Sequence, residues 1–328
     1  MRILITGATG FVGGNLLRML ADGNNEIRYI SRGGKSAPAA NGLPNVHCVT
    51  GDVIDLLSLQ DACKGMDWVF HSAAMVSSIE KQRQEMVEVN VIGTRNILQA
   101  ALDNKVKRFV HISTVDTVGM TNDGSPAKEQ TIYNFDKFHN PYADTKTAAE
   151  KEVLTFVEKG LEALIVNPGF MIGVWDVKGS SSRIILEIMR GNGKVATRGG
   201  NCFVDVEDVC RGAILAAEKG KTGDRYILGG HNLTYTDFFS LASKICNQPK
   251  PWLIAPDWLA ILTGIILEKT ALILGKKPMV SKNEVIFSLL PHYYSSEKAI
   301  RELDYKISAL EPAIEKAKSW FMENNSSY

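Results

Sequence analysis

The stretch MRILITGATGFVGGNLLR, residues 1–18, decides the fold. An apolar run at Ile3, Leu4 and Ile5 meets glycines at Gly7, Gly10 and Gly13 and then passes into a helical pattern. That order reads as a strand, a tight turn and a helix N-terminus. Glycine answers three backbone needs there: positive φ in the turn, close approach of the chain to a bound group, and helix-on-strand packing with no Cβ in between. Unpaired N–H groups at the positive end of the helix dipole then make a seat for phosphate. The spacing is GxxGxxG rather than GxGxxG, so the strand before and the helix after carry the reading of a dinucleotide-binding turn.

Outward from this turn, strand and helix patterns alternate. A first helix is expected over about Asn15 to Asp22, and EIRYIS (26–31) reads as the second strand. A Gly/Ser/Pro/Asn-rich loop follows at 33–45. VHCVTGDV (46–53), DWVFHSAA (67–74), VKRFVHIS (106–113) and LEALIVNPGF (161–170) supply four more strands, separated by helical patterns that include residues 80–103 and 141–160. Connections too long for hairpins argue a parallel, doubly wound α/β sheet of Rossmann type. Residues 1–170 are read as the NAD(P)-binding domain, with 206–230 returning to it, and 171–328 as a smaller, helix-rich substrate domain.

Composition narrows the function classes. Among 328 residues, 37 Lys plus Arg against 36 Asp plus Glu leave a net charge of +1, so no basic field asks for nucleic acid. Cys48, Cys63, Cys202, Cys210 and Cys246 lie in apolar patterns without CxxC spacing and read as reduced thiols of a cytoplasmic protein. His47, His71, His111, His139, His231 and His292 show no metal-ligand spacing, so no metal is assigned. The first strand begins at residue 1 or 2, which leaves no room for a leader. Between Trp252 and Gly275, charges at Asp257, Glu268 and Lys269 cut the apolar run below the length of a membrane span. A buried helix pair is expected there, with an interfacial helix as the alternative.

Chemistry is concentrated at Tyr142 and Lys146, four apart near the start of the helix that follows the fifth strand. They share a helix face, and an ammonium beside a phenol favours the phenolate, which suits a general acid/base near neutral pH. In open α/β sheets ligands bind beyond the C-terminal strand ends, where this pair falls. Cofactor choice follows from charge at the end of the second strand. An acid there holds the ribose of NAD, whereas this chain has Ser31 and Arg32, with Lys35 close behind. Arg32 suits the extra phosphate of NADP, with NAD as the other possibility. Asp144 and Glu150 read as a solvated helix face, and Met75, Val76, Phe170, Met171 and Trp175 flank the nicotinamide end.

Taken together, these motifs resemble the extended branch of the short-chain dehydrogenase/reductase superfamily, the NAD-dependent epimerase/dehydratase family. TGATGFVGG is similar to its TGxxGxxG loop, GDV with Asp52 to its adenine-contacting acid, HSAA (71–74) to its DxAA segment, YADTK to its YxxxK, and NPG (167–169) to its strand-six motif. The resemblance implies cofactor contacts from Gly7, Thr9, Gly10, Phe11, Val12, Gly13, Arg32, Asp52, Val53, Ser72, Ala73, Ala74, Ser113, Tyr142, Lys146, Pro168 and Met171. It also implies a catalytic hydroxyl at the end of the fifth strand. Counting back from Gly119 selects Thr114, with Ser113 as the neighbour that could replace it.

Sugar-nucleotide members often carry Arg-Asp just before a segment like FVDVEDV, where this chain has Asn201 and Cys202, and place acids directly after the catalytic Thr, where it has Val115 and then Asp116. FVDVEDV, NPG and KPMVSKNEV…YYSSEKAIRELDY are similar instead to dihydroflavonol-reductase-like and hydroxysteroid-dehydrogenase-like members. The resemblance therefore implies NADP(H)-dependent oxidoreduction of a carbonyl or alcohol on a fairly apolar small molecule. A nucleotide-sugar epimerase or dehydratase and a non-catalytic dinucleotide sensor are the alternatives. It also implies a homodimer through the helices near 80–103 and 141–158, with Met86, Val89 and Leu98 as apolar positions available for it.

Overall fold

The computed structural model describes residues 1–135, 138, 140–273 and 281–324. The chain runs β1 (Arg2–Thr6), α1 (Phe11–Leu20), β2 (Glu26–Ser31), β3 (Val46–Thr50), α2 (Leu56–Cys63), β4 (Trp68–His71), α3 (Arg83–Met86), α4 (Gly93–Asp103), β5 (Arg108–Ile112), α5 (Pro141–Glu158) and β6 (Ala163–Pro168). It continues through β7 (Phe170–Ile172), α6 (Arg183–Met189), β8 (Val195–Ala196), β9 (Gly200–Asp205), α7 (Val206–Lys219), β10 (Arg225–Leu228), β11 (His231–Thr234) and α8 (Tyr235–Ile245). The last described elements are β12 (Leu253–Ile254), α9 (Asp257–Ile273), α10 (Lys282–Ser288), β13 (Pro291–His292), α11 (Glu297–Leu303) and α12 (Leu310–Glu323).

Seven strands form one parallel sheet in the order β10-β6-β5-β4-β1-β2-β3. Alternation along β1 explains the double winding. Ile3 and Ile5 face a core with Leu16 and Leu17 of α1 and Val209 and Ala213 of α7, while Leu4 faces Leu59 of α2, Leu98 of α4 and Val153 of α5. Strand order reverses between β1 and β4, so the crevice beyond their C-terminal ends is the topological switch point.

The expected continuous helix over 80–103 is interrupted. Residues Val87–Ile92 between α3 and α4 adopt a wider, π-type turn. This turn delivers the buried Asn90 side chain to the loop after β4: Met75 N donates to Asn90 Oδ1 at 2.7 Å, and Asn90 Nδ2 donates to Met75 O at 2.9 Å and Thr145 Oγ1 at 3.1 Å. The first helix begins at Phe11, directly after Gly10, earlier than its apolar pattern suggested.

Past β6 the chain builds a second core around β9, where Phe203 stacks on Phe238 of α8 at 3.8 Å between ring centroids. Strands β11, β13 and β7 pair with β9. The buried helix pair expected over Trp252–Gly275 is not what forms. In α9 only Ala260 and Gly264 are buried, on the side that α10 covers; residues 274 and 275 lie outside the described set. Among the described residues, no helix is long and apolar enough to cross a membrane.

Candidate active site

At the switch point the glycine turn and the end of β4 touch. Gly7 has φ +75°, and a Cβ there would lie 2.6 Å from Ala73 N; a Cβ on Gly13 would collide with the Gly7 carbonyl. Gly10 N donates to Gly7 O at 2.8 Å, closing the turn, and α1 then starts with no side-chain cap and no acid in its first turn. The N–H groups at Phe11, Val12 and Gly13 head this uncapped helix, beside Thr9. An uncapped, acid-free helix start behind a glycine turn fits the diphosphate of a dinucleotide.

Thr6 and His71, at the ends of β1 and β4, brace the turn. Thr6 Oγ1 lies 2.7 Å from His71 Nδ1, His71 Nε2 lies 2.9 Å from Thr94 Oγ1, Ala73 N donates to Thr6 Oγ1 at 3.2 Å, and Ser72 Oγ donates to Thr6 O at 2.7 Å. His71 is fully buried, and burial, reinforced by the Lys146 charge, pushes its pKa down to about 3. It is a neutral strut. The HSAA segment thus holds the crevice wall through His71 and Ser72, with Ala74 exposed at its mouth.

Asn140 caps α5, accepting from Tyr142 N at 3.1 Å and Ala143 N at 3.3 Å, and sets its inner face. Lys146 is 2 % exposed; its Nζ donates to Ile112 O at 2.8 Å and lies 3.2 Å from Nε2 of the buried His111. Burial lowers its pKa to about 7. The expected lowering of the Tyr142 pKa by Lys146 is reversed. Burial, then the Asp116 carboxylate, raises it, and the Lys146 amine is engaged by strand β5 instead. Burial also pushes Asp116 up to about 6.

The two candidate hydroxyls differ sharply. Ser113 is buried and its Oγ has no hydrogen-bond partner among the described residues, whereas Thr114 is half-buried and its Oγ1 accepts from Asp116 N at 3.2 Å, capping the turn Val115–Thr117. A buried network missed in the sequence fixes this turn. Asn167 Nδ2 donates to Thr114 O at 2.9 Å, Thr117 Oγ1 at 2.9 Å and Glu150 Oε1 at 2.8 Å; Thr117 Oγ1 donates to Glu150 Oε1 at 2.6 Å; and Glu150 pairs with Arg225 of β10. Glu150 is therefore buried and ion-paired, not solvated. The signal was its spacing, four residues past Lys146 and eight past Tyr142 on one helix face. Asp144 also departs from a solvated reading: Arg83 holds it at 3.0 Å and Tyr133 donates to it at 2.8 Å.

Other expected contacts sit farther round the crevice. Arg32 is exposed at the end of β2, with no side-chain partner among the described residues. Asp52 stands in the turn after β3, where its Oδ1 accepts from Ile54 N at 3.3 Å, and Val53 is packed against Gly93. Pro168 ends β6, and Met171 pairs with Val204 in the second sheet. Phe170 packs on Phe203 at 5.3 Å, and Trp175 points away from the crevice, under Arg18 at 4.9 Å and beside Trp320 at 6.4 Å. Val76 is exposed. Cys48 is exposed on the edge strand β3, while the other four cysteines are buried. Among the described residues no cluster could hold a metal; His139 lies outside them.

A seven-stranded parallel sheet with a glycine turn, a Tyr/Lys pair and a hydroxyl at one crevice defines a dinucleotide-binding oxidoreductase architecture. The sequence profile of the NAD dependent epimerase/dehydratase family matches residues 3–229, and the chain belongs to that family. It is 35 % identical over 325 residues, 98 % of this chain and 94 % of the relative, to a Synechocystis protein named "Putative dihydroflavonol 4-reductase". It is 32 % identical over 328 residues, 98 % of this chain and 99 % of the relative, to sterol demethylase protein B of Methylococcus capsulatus. The crystal structure of gox2253 superposes with a TM-score of 0.85 at 33 % identity, covering 98 % of each chain.

Burial of Lys146 and His71 makes stability depend on pH. Between about pH 7 and 10.5 the unfolded chain holds a proton on Lys146 that the fold sheds, and between about 3 and 6.5 it holds one on His71. The unfolded state binds more protons in both windows, so stability rises with pH through each. Urea unfolding at pH 7.5 and 9.5 is expected to show the wild type gaining stability relative to Lys146→Met; equal changes in both proteins would contradict a neutral, buried Lys146.

Proposed function

We propose that the protein is an NADP(H)-dependent oxidoreductase that reduces a ketone or aldehyde on a fairly apolar small molecule, or oxidises the alcohol. The observation that carries this reading is the Lys146 bond to Ile112 O. It fastens the helix bearing Tyr142 to the strand end that presents Thr114. The dinucleotide, when bound at the glycine turn, supplies the hydride. Tyr142 stays protonated at neutral pH and donates its proton to the substrate oxygen, Thr114 hydrogen-bonds and orients that oxygen, and Lys146 holds the ribose and the tyrosine's position. Residues 1–170, with 206–230 returning to them, hold the cofactor, and 171–328 bind the substrate.

The epimerase or dehydratase reading lacks support at the places where a sugar diphosphate needs cations. Asn201 is occupied by Cys202 N at 2.9 Å and Tyr235 Oη at 3.4 Å, and Cys202 is fully buried. The sensor reading lacks support because Tyr142 and Lys146 are both present. Four buried thiols without disulfides suit the cytoplasm. Tyr142→Phe is expected to lower turnover on a carbonyl panel by ~100-fold or more with cofactor affinity nearly intact. A variant that keeps over about half its activity would rule out Tyr142 as the acid.

Arg32 supports NADP because a free guanidinium stands where an acid would repel the added phosphate. A charge-assisted contact of ~1.5 to 3 kcal/mol corresponds to roughly 10- to 150-fold in affinity. Arg32→Ala should weaken NADPH binding by about that factor and spare NADH in fluorescence titrations. Equal wild-type affinity for the two cofactors would refute the assignment.

Of the apolar positions expected to support a dimer, Met86 and Leu98 are fully buried, because they pack inward on the protein's own core. A homodimer through α4 and α5 rests instead on Ile92 and Leu154, which are exposed. Light scattering at micromolar concentration should give twice the 36.0 kDa chain mass, and a clean monomer would exclude it.

A further inference from the structure

Helix α9 is apolar on two opposite sides. Its inner side meets α10 through Ala260 and Gly264, where a Cβ on Gly264 would lie 2.8 Å from Val285. On its outer side Trp258, Leu262, Ile266 and Ile273 fall on one face and are 68, 45, 52 and 84 % exposed. Trp252 and Ile254, at and just before β12, extend the patch. Single exposed apolar residues are ordinary, but a contiguous stripe of this size marks a surface that something covers.

Charge around the stripe selects the partner. Exposed Lys194, Arg198 and Lys250 flank the Trp252 end, and exposed Lys269 and Lys282 flank the other. Of the acids nearby, Asp257 is paired with Arg198 at 2.9 Å, and Glu268 accepts the backbone N–H of Lys282 at 2.9 Å and stands as a single carboxylate between Lys269 and Lys282. The sequence continues into Lys276 and Lys277, in a chain whose net charge is only +1. A second copy laid on this stripe, parallel or antiparallel, would set cations against cations. Anionic headgroups would neutralise them, and the tryptophans suit the boundary between headgroups and acyl chains. At 17 residues α9 is about 25 Å long, and it does not qualify as a span, so it would lie in the plane of the surface.

We propose that α9 and β12 form a monotopic docking surface for a bilayer containing anionic lipid, with Trp258, Leu262 and Ile266 entering the acyl boundary. The surface lies one helix from the crevice. Ser281, the cap of α10, meets Ser78 of the loop after β4 at 3.0 Å, and Phe287 of α10 packs on Phe135 at 5.4 Å. An apolar substrate dissolved in the bilayer would therefore reach the site by a short path. That last step rests on the proposed oxidoreductase reading, whereas docking does not.

Flotation of the purified full-length protein with phosphatidylcholine vesicles, alone or with about one third phosphatidylglycerol, tests docking without any substrate. Wild type should float with the anionic vesicles, and Leu262→Glu/Ile266→Glu should cut the floating fraction at least ~10-fold while keeping a cooperative melt. Lys269→Glu/Lys282→Glu, which spares the apolar stripe, should lower flotation by a similar factor with anionic vesicles only. Wild type that stays unbound to both vesicles, or glutamate variants that float as well as wild type, would overturn the proposal. So would a dimer in light scattering that the Leu262→Glu/Ile266→Glu variant splits. Turnover of the same samples on a water-soluble carbonyl reads the enzymatic assignment separately.

Discussion

The bond from Lys146 Nζ to Ile112 O, 2.8 Å long and sealed from water, is the constraint around which the site is built. A lysine this deep loses hydration, and among the described residues a carbonyl and the His111 ring replace it. The fold meets this cost by letting the proton go easily, which is why the amine titrates near 7 rather than in its usual range. Helix α5 is thereby pinned to the end of β5 at one point. A second pin lies one turn farther along, where Glu150 meets Arg225, Asn167 and Thr117. Breaking a buried pair of this kind leaves an uncompensated charge, so the two pins act together in fixing the height of Tyr142 above the sheet.

Much of this was legible in the sequence. The apolar run of β1 and the glycines after it indicated the strand–turn–helix and the seat for a diphosphate, and the alternation of strands with helices indicated the parallel sheet, because backbone geometry at those positions admits few solutions. The Tyr142/Lys146 spacing identified the face of α5. What escaped was pairing across long separations. Glu150 looked like surface because carboxylates usually are, and nothing local announced that Arg225, on a strand 75 residues later, would come to it. The sign of the Tyr142 shift escaped for the same reason: spacing shows which residues share a face but not how dry that face is, and burial, then Asp116, sets the sign.

The dryness has a chemical direction. A tyrosine kept in its phenol form is a proton donor, which suits the proposed carbonyl reduction more directly than alcohol oxidation, which needs a base. Asp116 sharpens this. Its carboxylate titrates near 6 and is mostly ionised at neutral pH, and it raises the cost of forming a second negative charge on Tyr142. Burial raises the pKa of Tyr235 and Tyr294 as well, and the Asp116 charge adds to both shifts.

The helices of the C-terminal half separate into two kinds by the same logic of burial. Helices α8 and α12 direct their apolar residues into the Phe203 core, where Phe238, Ala242, Ile314 and Phe321 are fully enclosed. Helix α9 has apolar residues in comparable number yet encloses only two small ones. If its sequence served only to fold this chain, its outer face would be polar, as on any helix that meets water along one side. Retention of Trp258, Leu262 and Ile266 there, between clusters of lysine and arginine, indicates that this face is shaped by something outside the folded chain.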